Sequence, residues 1–134
     1  MGDGALIVLD TRVALWSLGD SPRLSANARR AIGQARRVGS LHIASMALLE
    51  VARLVAAQRL GTTVTLDVLL DRIENSFMIL PITAAVAAAT TRLPASYPRD
   101  PADRIIGATA LVHGAALVTA DEGIRKAKAV RTIW

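Results

Sequence analysis

Residues 100–122 read DPADRIIGATALVHGAALVTADE, and this stretch decides the fold. Asp100 is a good helix N-cap, Pro101 suits the first helical position because its missing N–H costs nothing there, and Gly114 suits the residue after a helix end. The helix between them is too apolar for a surface position, so we expect it to be largely buried. A short apolar run then leads to Asp121. The stretch predicts a helix, a tight turn, a strand and an acid, in that order.

The same alternation of strands and helices extends over the whole chain. Apolar runs predict strands at 5–9, 41–43, 78–80, 115–118 and 130–133. Helical patterns, several of them preceded by good caps such as Ser25, Ser45 and Thr83, predict helices near 11–18, 25–38, 46–59, 66–74, 83–91, 101–113 and 122–128. A chain of 134 residues suits one domain. We therefore expect residues 1–134 to form a single α/β domain, with a small parallel sheet of about four to five strands flanked by α-helices.

The composition excludes several classes of protein. There is no cysteine, which excludes disulfides, thiolate catalysis and cysteine-based zinc sites. No apolar run reaches about 18 residues and no basic N-terminal region precedes a long apolar one, so we expect a soluble, cytoplasmic protein without a membrane segment. Sixteen Lys and Arg against eleven Asp and Glu give a net charge of +5, and most of the cations are arginine. That charge suits a polyanionic partner.

Four acids stand where the predicted fold would bring them together. Asp10 and Asp121 each follow a predicted strand, and acids at the carboxyl ends of parallel strands lie at the edge where ligands gather. Asp103 lies in the first turn of the long buried helix, and Glu50 lies among apolar residues of the third predicted helix. Taken alone, Asp103 and Asp121 have ordinary structural explanations, namely dipole complementation for Asp103 and helix capping for Asp121. For Glu50 the alternative is a buried ion pair with Arg53 or another arginine.

Together, these acids favour metal-dependent chemistry. Carboxylates without histidine or cysteine select Mg²⁺ or Mn²⁺ over zinc or copper. A bound cation would offset the repulsion between the acids, lower the pKa of a bound water and hold a phosphate oxygen, as in-line phosphodiester hydrolysis requires. One ion or two are both compatible with the sequence. An acidic centre in a basic surface is what a metal-dependent nuclease needs.

Four segments then carry a family resemblance: LIVLDT (6–11), IASMALLEVA (43–52), DPADRIIGATAL (100–111) and LVTADEG (117–123). In this order and spacing they resemble PIN-domain ribonucleases of the VapC type, the toxins of bacterial and archaeal toxin–antitoxin pairs. By this resemblance, the residues that match the family's metal-binding positions are Asp10, Glu50, Asp103 and Asp121, with Asp100 as an additional acid of one branch. Polar supporting positions are matched by Thr11, Ser45 and Thr119.

The resemblance implies a PIN-like fold and an endoribonuclease that acts on structured RNA such as transfer or ribosomal RNA. It also implies a homodimer, and a small antitoxin that inserts a segment at the acidic pocket. Two alternatives stay open: a PIN nuclease for RNA processing without an antitoxin, and a catalytically degenerate PIN module that binds RNA or protein. Retention of all four acids argues against the second. A response-regulator receiver domain fits poorly, since Asp10 has no adjacent acid, Pro81 closes the third strand and no lysine follows Thr119.

Aromatic residues are few, and one of them is a candidate for RNA contact. Tyr97 lies in the loop before the deciding stretch and is the only aromatic residue that we consider for RNA contact. Trp16 and Trp134 are expected to act as core or interface anchors. His42 and His113 are expected to be structural.

Overall fold

The computed structural model of the protein describes residues 6–134. Within them the strands are β1 (Ile7–Leu9), β2 (Leu41–Ala44), β3 (Met78–Leu80), β4 (Ala116–Val118) and β5 (Thr132–Ile133). The helices are α1 (Thr11–Leu18), α2 (Ala26–Arg37), α3 (Met46–Ala56), α4 (Leu66–Ser76), α5 (Ala84–Thr90), α6 (Pro101–Val112) and α7 (Glu122–Ala127). The predicted order of elements is confirmed. The predicted start of β1, Ala5, lies outside the described residues.

The sheet is parallel throughout the described part of the chain, and its strand order is β3-β2-β1-β4-β5. The chain leaves β1 toward one side of the sheet and returns to form β4 on the other side. Crevices of this kind, at the carboxyl ends of strands where the strand order reverses, are where open α/β sheets bind ligands. The register pairs Leu9 with Val118, so the residues that follow β1 and β4 emerge side by side.

Side chains of each central strand alternate between two cores. Ile7 and Leu9 pack with α1 to α4 on one face, whereas Val8 packs with α6 and α7 on the other. The central strands are buried on both faces, as their continuous apolar sequences predict. Helix α5 packs against α6 through Val86, Ala89 and Ala108. The result is a three-layer domain whose deciding helix, α6, lies against the sheet.

Some predicted helix ends need correction. Helix α3 ends at Ala56 rather than near Arg59, because Gln58 adopts a left-handed conformation with φ of 58°. Ser45 does not cap α3 through its side chain, since its own backbone is already helical and a capping residue needs an extended one. Asp100 precedes α6 as predicted, but its carboxylate makes no capping hydrogen bond.

The other predicted helix caps and helix ends agree with the structure. The side chains of Ser25, Thr83 and Asp121 each accept a hydrogen bond from an N–H in the first turn of the helix that follows. Gly114 turns the chain after α6 with φ of 62°, a left-handed value that suits glycine. Within residues 6–134 no helix has the length and apolar character needed to cross a membrane.

The two tryptophans, which we expected to anchor a core or an interface, lie in contact with each other. Their ring centroids are 6.0 Å apart, and both side chains are partly buried against the core beneath α1 to α4. The guanidinium of Arg23 lies 5.9 Å from the ring centroid of Trp16. His42 and His113 each place Nδ1 2.9 Å from a backbone carbonyl oxygen, which supports their structural interpretation.

Candidate active site

Asp10 lies at the centre of the acidic edge of the sheet. Its backbone N–H donates to the carbonyl of Val118 at 3.0 Å, which ties the end of β1 to β4. Its carboxylate accepts two further hydrogen bonds, at 2.7 Å from the hydroxyl of Thr119 and at 2.8 Å from the N–H of Thr11. Burial raises the pKa of Asp10, and these two hydrogen bonds act against the rise. The carboxylate is therefore held in a defined position.

Thr119 also connects Asp10 to Asp121. Its Oγ1 accepts the backbone N–H of Asp121 at 3.1 Å, and Asp121 in turn caps α7 by accepting the N–H of Ile124 at 2.9 Å. Asp121 is exposed at the surface of the site. The structure thus brings these two acids to the same edge of the sheet. This is the edge that their positions after β1 and β4 predicted.

Glu50 reaches the site from the second turn of α3. Its Oε1 accepts a hydrogen bond of 2.5 Å from the hydroxyl of Thr11, which is buried. Burial raises the pKa of Glu50, and the charges of Asp10 and Asp100 act in the same direction. No arginine within residues 6–134 forms an ion pair with Glu50. Its hydrogen-bond partner is a threonine, and the alternative of a buried arginine pair is wrong for this structure.

Among these acids, Asp103 has the large pKa shift. The carboxyl group lies half-buried in the first turn of α6. Burial and then the negative charges of Asp10, Asp100, Glu50 and Asp121 raise its pKa to about 7. Five of the eleven acids therefore lie near enough for their charges to act on one another, in a chain whose net charge is +5.

Asp100 lies at the rim of this group. It is exposed and lines a cavity of about 240 Å³ together with Glu50, Arg53 and Arg59. Its position is compatible with the additional acid that the resemblance assigned to it. Ser45 follows β2 and is half-buried, and its supporting role stays a prediction.

The donor set of the site matches a hard divalent cation, although the side chains are not arranged as a coordination sphere. Among residues 6–134, no three His, Asp or Glu side chains form a group that could hold a metal ion as they stand. Hydrogen bonds with Thr11 and Thr119 engage the carboxylates of Glu50 and Asp10 instead. Carboxylate oxygens that raise one another's pKa are nevertheless what a cation would stabilise. The assignment of metal ligands stays a prediction.

A groove of about 490 Å³ lies next to the acidic site and is rich in arginine. Arg59 lines both this groove and the cavity beside Glu50, so the two are adjacent. The residues lining the groove are Arg12, Leu15, Trp16, Leu18, Gly19, Arg23, Arg59, Leu60, Thr62, Val64, Leu69 and Arg72. Polar and apolar surface contribute about equally to its walls, and its charged side chains are all arginines.

The prediction that Tyr97 contacts RNA is wrong. Its side chain is 1% exposed, and its hydroxyl donates to the backbone carbonyl of Asp103 at 3.1 Å. Sequence reasoning missed this contact, as well as the contribution of Arg104, which donates to the carbonyls of Pro94 and Tyr97 in the loop before α6 and to that of Thr90 at the end of α5. One signal was present. Gly107 interrupts an apolar helix, where alanine would be more stable, and so indicates a close approach by another group.

Comparison with known proteins gives a family and a close relative. The profile described as "PIN domain" matches residues 7–130. Ribonuclease VapC22 of Mycobacterium tuberculosis is 36% identical over 130 residues, which cover 96% of this chain and 98% of the relative.

Solved structures agree with the fold. The chain superimposes on VapBC2 from Rickettsia felis, bound to a DNA fragment from its promoter, with a TM-score of 0.70 at 15% identity, covering 95% of this chain and 96% of the other. The corresponding values for FitAcB from Neisseria gonorrhoeae are a TM-score of 0.65, 26% identity and coverage of 95% and 96%. At 15% identity the first of these matches shows the fold alone.

Proposed function

Because this chain belongs to the PIN-domain family, we propose that it is a Mg²⁺- or Mn²⁺-dependent endoribonuclease and the toxin component of a toxin–antitoxin pair. The observation that carries the proposal is the group of carboxylates at the edge of β1 and β4. Burial first, and then repulsion from the neighbouring carboxylates, raise the pKa of Asp103 to about 7, in a chain that is otherwise basic. A divalent cation relieves that repulsion and at the same time supplies hydrolytic chemistry.

Within this site, the side chains of Asp10, Glu50, Asp103 and Asp121 would hold the cation. Bound there, it supplies Lewis acidity toward a phosphate oxygen and lowers the pKa of a water molecule. Thr119 and the N–H of Thr11 orient the carboxylate of Asp10, as ligands of a metal are usually oriented by outer hydrogen bonds. The hydroxyl of Thr11 does the same for Glu50.

RNA is the substrate in this proposal. The relative with 36% identity is named a ribonuclease, and the arginines around the acidic edge can neutralise phosphates on either side of the bond that is cleaved. Arg53 and Arg59 line the cavity that also contains Glu50 and Asp100, so cations and acids meet at the same opening.

The arginine-rich groove supports the proposal that a protein partner binds and inhibits the enzyme. Its apolar residues suit the apolar face of a short helix, and its four arginines suit acidic residues on that helix. Arg59 connects the groove to the cavity beside Glu50, so a segment that continues from the groove reaches the acidic pocket. VapBC2 and FitAcB contain the same fold, and VapBC2 is a complex bound to promoter DNA. A small antitoxin is therefore the partner we expect.

A homodimer and a cytoplasmic location complete the proposal. Exposed apolar side chains at the end of α6, Leu111 and Val112, offer surface for a second copy of the chain. Light scattering on the purified protein would measure the oligomeric state. Cellular RNA and a newly made antitoxin are both available in the cytoplasm, where fractionation would detect the protein.

The decisive experiment is sequencing of the RNA fragments that the purified protein produces from total cellular RNA with Mg²⁺ or Mn²⁺. Discrete cleavage sites that disappear with EDTA and with an Asp10→Asn variant are the expected result. Full cleavage in excess EDTA contradicts the metal-dependent mechanism. A complete lack of cleavage, together with RNA binding, favours the alternative of a degenerate PIN module.

A further inference from the structure

We infer that Tyr97 and Arg104 act as positioning residues for Asp103, by clamping the loop of residues 92–99 onto the first turns of α6. This inference rests on the proposed metal-dependent activity, because it concerns how one of the predicted ligands is held. Neither residue belongs to the group of acids.

The first contact of the clamp is the hydrogen bond from Tyr97 to Asp103. The phenol of Tyr97 is 1% exposed, and its hydroxyl donates to the Asp103 carbonyl oxygen at 3.1 Å. A bond to this carbonyl restrains the peptide plane of Asp103, and with it the direction of the Cα–Cβ bond that carries the carboxylate. The hydroxyl therefore acts on the residue without touching its carboxylate.

Gly107 shows how closely the phenol packs on α6. A Cβ atom built at this position would lie 2.1 Å from the Tyr97 hydroxyl oxygen and 2.7 Å from Cζ. Atoms cannot approach that closely, so the glycine leaves the space that the phenol fills. Glycine inside a helix is less favourable than alanine, which is consistent with a need for this contact.

Arg104 supplies the second part of the clamp. Its guanidinium donates to the carbonyls of Thr90, Pro94 and Tyr97 at 3.3–3.4 Å, and it lies 6.0 Å from the ring centroid of Tyr97. The sequence DPADR places this arginine beside an active-site acid, where phosphate binding would be the usual interpretation. In the structure its N–H groups donate instead to the loop backbone and to the end of α5.

The N-terminus of α6 needs such a restraint. Asp100 makes no capping hydrogen bond through its side chain, so the usual local device for fixing a helix start is missing at this position. The charges of Asp10, Glu50 and Asp121 also act on Asp103, and like charges favour its movement away from the site. A buried tertiary hydrogen bond near the ligand opposes that movement.

The test is Mn²⁺ binding by isothermal titration calorimetry without RNA, using a Tyr97→Phe variant that keeps the ring and loses only the hydroxyl. We expect its dissociation constant for Mn²⁺ to rise about tenfold, as is typical when a residue supporting a metal ligand is changed. With saturating Mn²⁺, kcat on RNA is expected to fall while KM stays within about twofold. Arg104→Lys keeps the charge but cannot reach three carbonyls. Like Tyr97→Phe, it should raise the dissociation constant for Mn²⁺ and lower kcat.

A matched control separates positioning from general loss of stability. Phe77→Leu changes a buried aromatic residue in the opposite core, away from α6, and should lower the melting temperature while leaving Mn²⁺ affinity unchanged. Wild-type Mn²⁺ affinity in both Tyr97→Phe and Arg104→Lys overturns the inference. Wild-type Mn²⁺ affinity in Asp103→Asn is a separate result that overturns the proposed metal centre, and the positioning role with it.

Discussion

The hydroxyl of Thr119 donates a 2.7 Å hydrogen bond to Oδ2 of Asp10, across a sequence separation of 109 residues. The parallel register of β1 and β4, which pairs Leu9 with Val118, creates this contact because it places the following residues side by side. The same Thr119 oxygen accepts the N–H of Asp121. One buried hydroxyl thus organises two acids that follow different strands.

Substitution of Thr119 by valine should therefore reduce activity while the fold is retained. The change keeps the shape of the side chain but leaves a buried carboxylate oxygen of Asp10 without its donor, which costs about 1–3 kcal/mol of unfolding free energy. We expect RNA cleavage to fall about 10- to 100-fold, as measured by initial rates with Mg²⁺. Thr109→Val is the matched control, because Thr109 is equally buried but bonds only within α6, to Ile105. Equal losses of activity in the two variants would contradict the role of Thr119.

Asp10→Asn and Asp121→Asn should each abolish metal-dependent cleavage in a folded protein. Each change removes one negative charge and one hard ligand while its volume is kept, so we expect at least about a 100-fold loss in kcat/KM. Initial rates on RNA, with circular dichroism to verify the fold, provide the measurement. Asp71→Asn on the exposed face of α4 should retain full activity. Undiminished cleavage by either site variant would rule out the mechanism.

Glu50→Gln should leave the metal-free protein as stable as the wild type, or make it more stable. The substitution removes a charge that Asp10 and Asp100 repel, and the amide oxygen of glutamine can still accept the hydrogen bond from Thr11. Urea denaturation in the presence of EDTA measures the effect. A loss of more than about 2 kcal/mol would instead indicate that Glu50 depends on a cationic partner.

The metal-free protein should lose stability as the pH rises. The pKa of Asp103 is raised from its ordinary 3.8 to about 7 in the folded state, so the folded protein holds this proton more tightly than the unfolded chain does. That stabilisation is complete below about pH 4 and is lost as the pH rises through 7. Melting temperatures in EDTA should be higher at pH 5 than at pH 8, and Asp103→Asn should reduce the difference. An unchanged difference in that variant would assign the effect to other groups.

Reversal of charge in the arginine-rich groove should weaken binding of the antitoxin. Arg72→Glu places a negative charge where we expect acidic residues of the partner, and we predict at least a tenfold rise in the dissociation constant. The measurement is calorimetry with the purified antitoxin that the proposal requires. Arg37→Glu, exposed on α2 and outside the groove, is the charge-matched control. Equal affinity of the two variants would place the partner on another surface.

Much of the fold could be predicted because its signals are local. Apolar runs of strand length, the cap at Ser25, the proline at the start of α6 and Gly114 at its end each act over a few residues. The positions of Asp10 and Asp121 after their strands also predicted a shared edge, since parallel strands align their carboxyl ends. The predicted capping by Ser45 and Asp100 was wrong because side-chain rotation and backbone conformation, which residue type does not determine, decide whether such a bond forms.

The burial of Tyr97 could not be predicted in the same way. A tyrosine between prolines in a polar loop suggests exposure, and only the packing of that loop on α6 reveals that its hydroxyl meets the carbonyl of Asp103. Gly107 indicated a close approach to α6, but the sequence does not show which residue makes it. The hydrogen bond from Thr11 to Glu50 could not be predicted either, since the two residues belong to helices on different parts of the chain.

By itself, the sequence determined the order of elements, the parallel α/β class and the acids at the strand ends, because helix and strand propensities, capping and apolar periodicity are properties of neighbouring residues. Only the tertiary structure decided which hydroxyl holds which carboxylate, how far burial and repulsion raise the pKa of Asp103, and that the tyrosine of the preceding loop supports α6. These features depend on sheet register and helix packing, which bring together residues far apart in the chain. Electrostatic energy and hydrogen bonding depend on the distances that result.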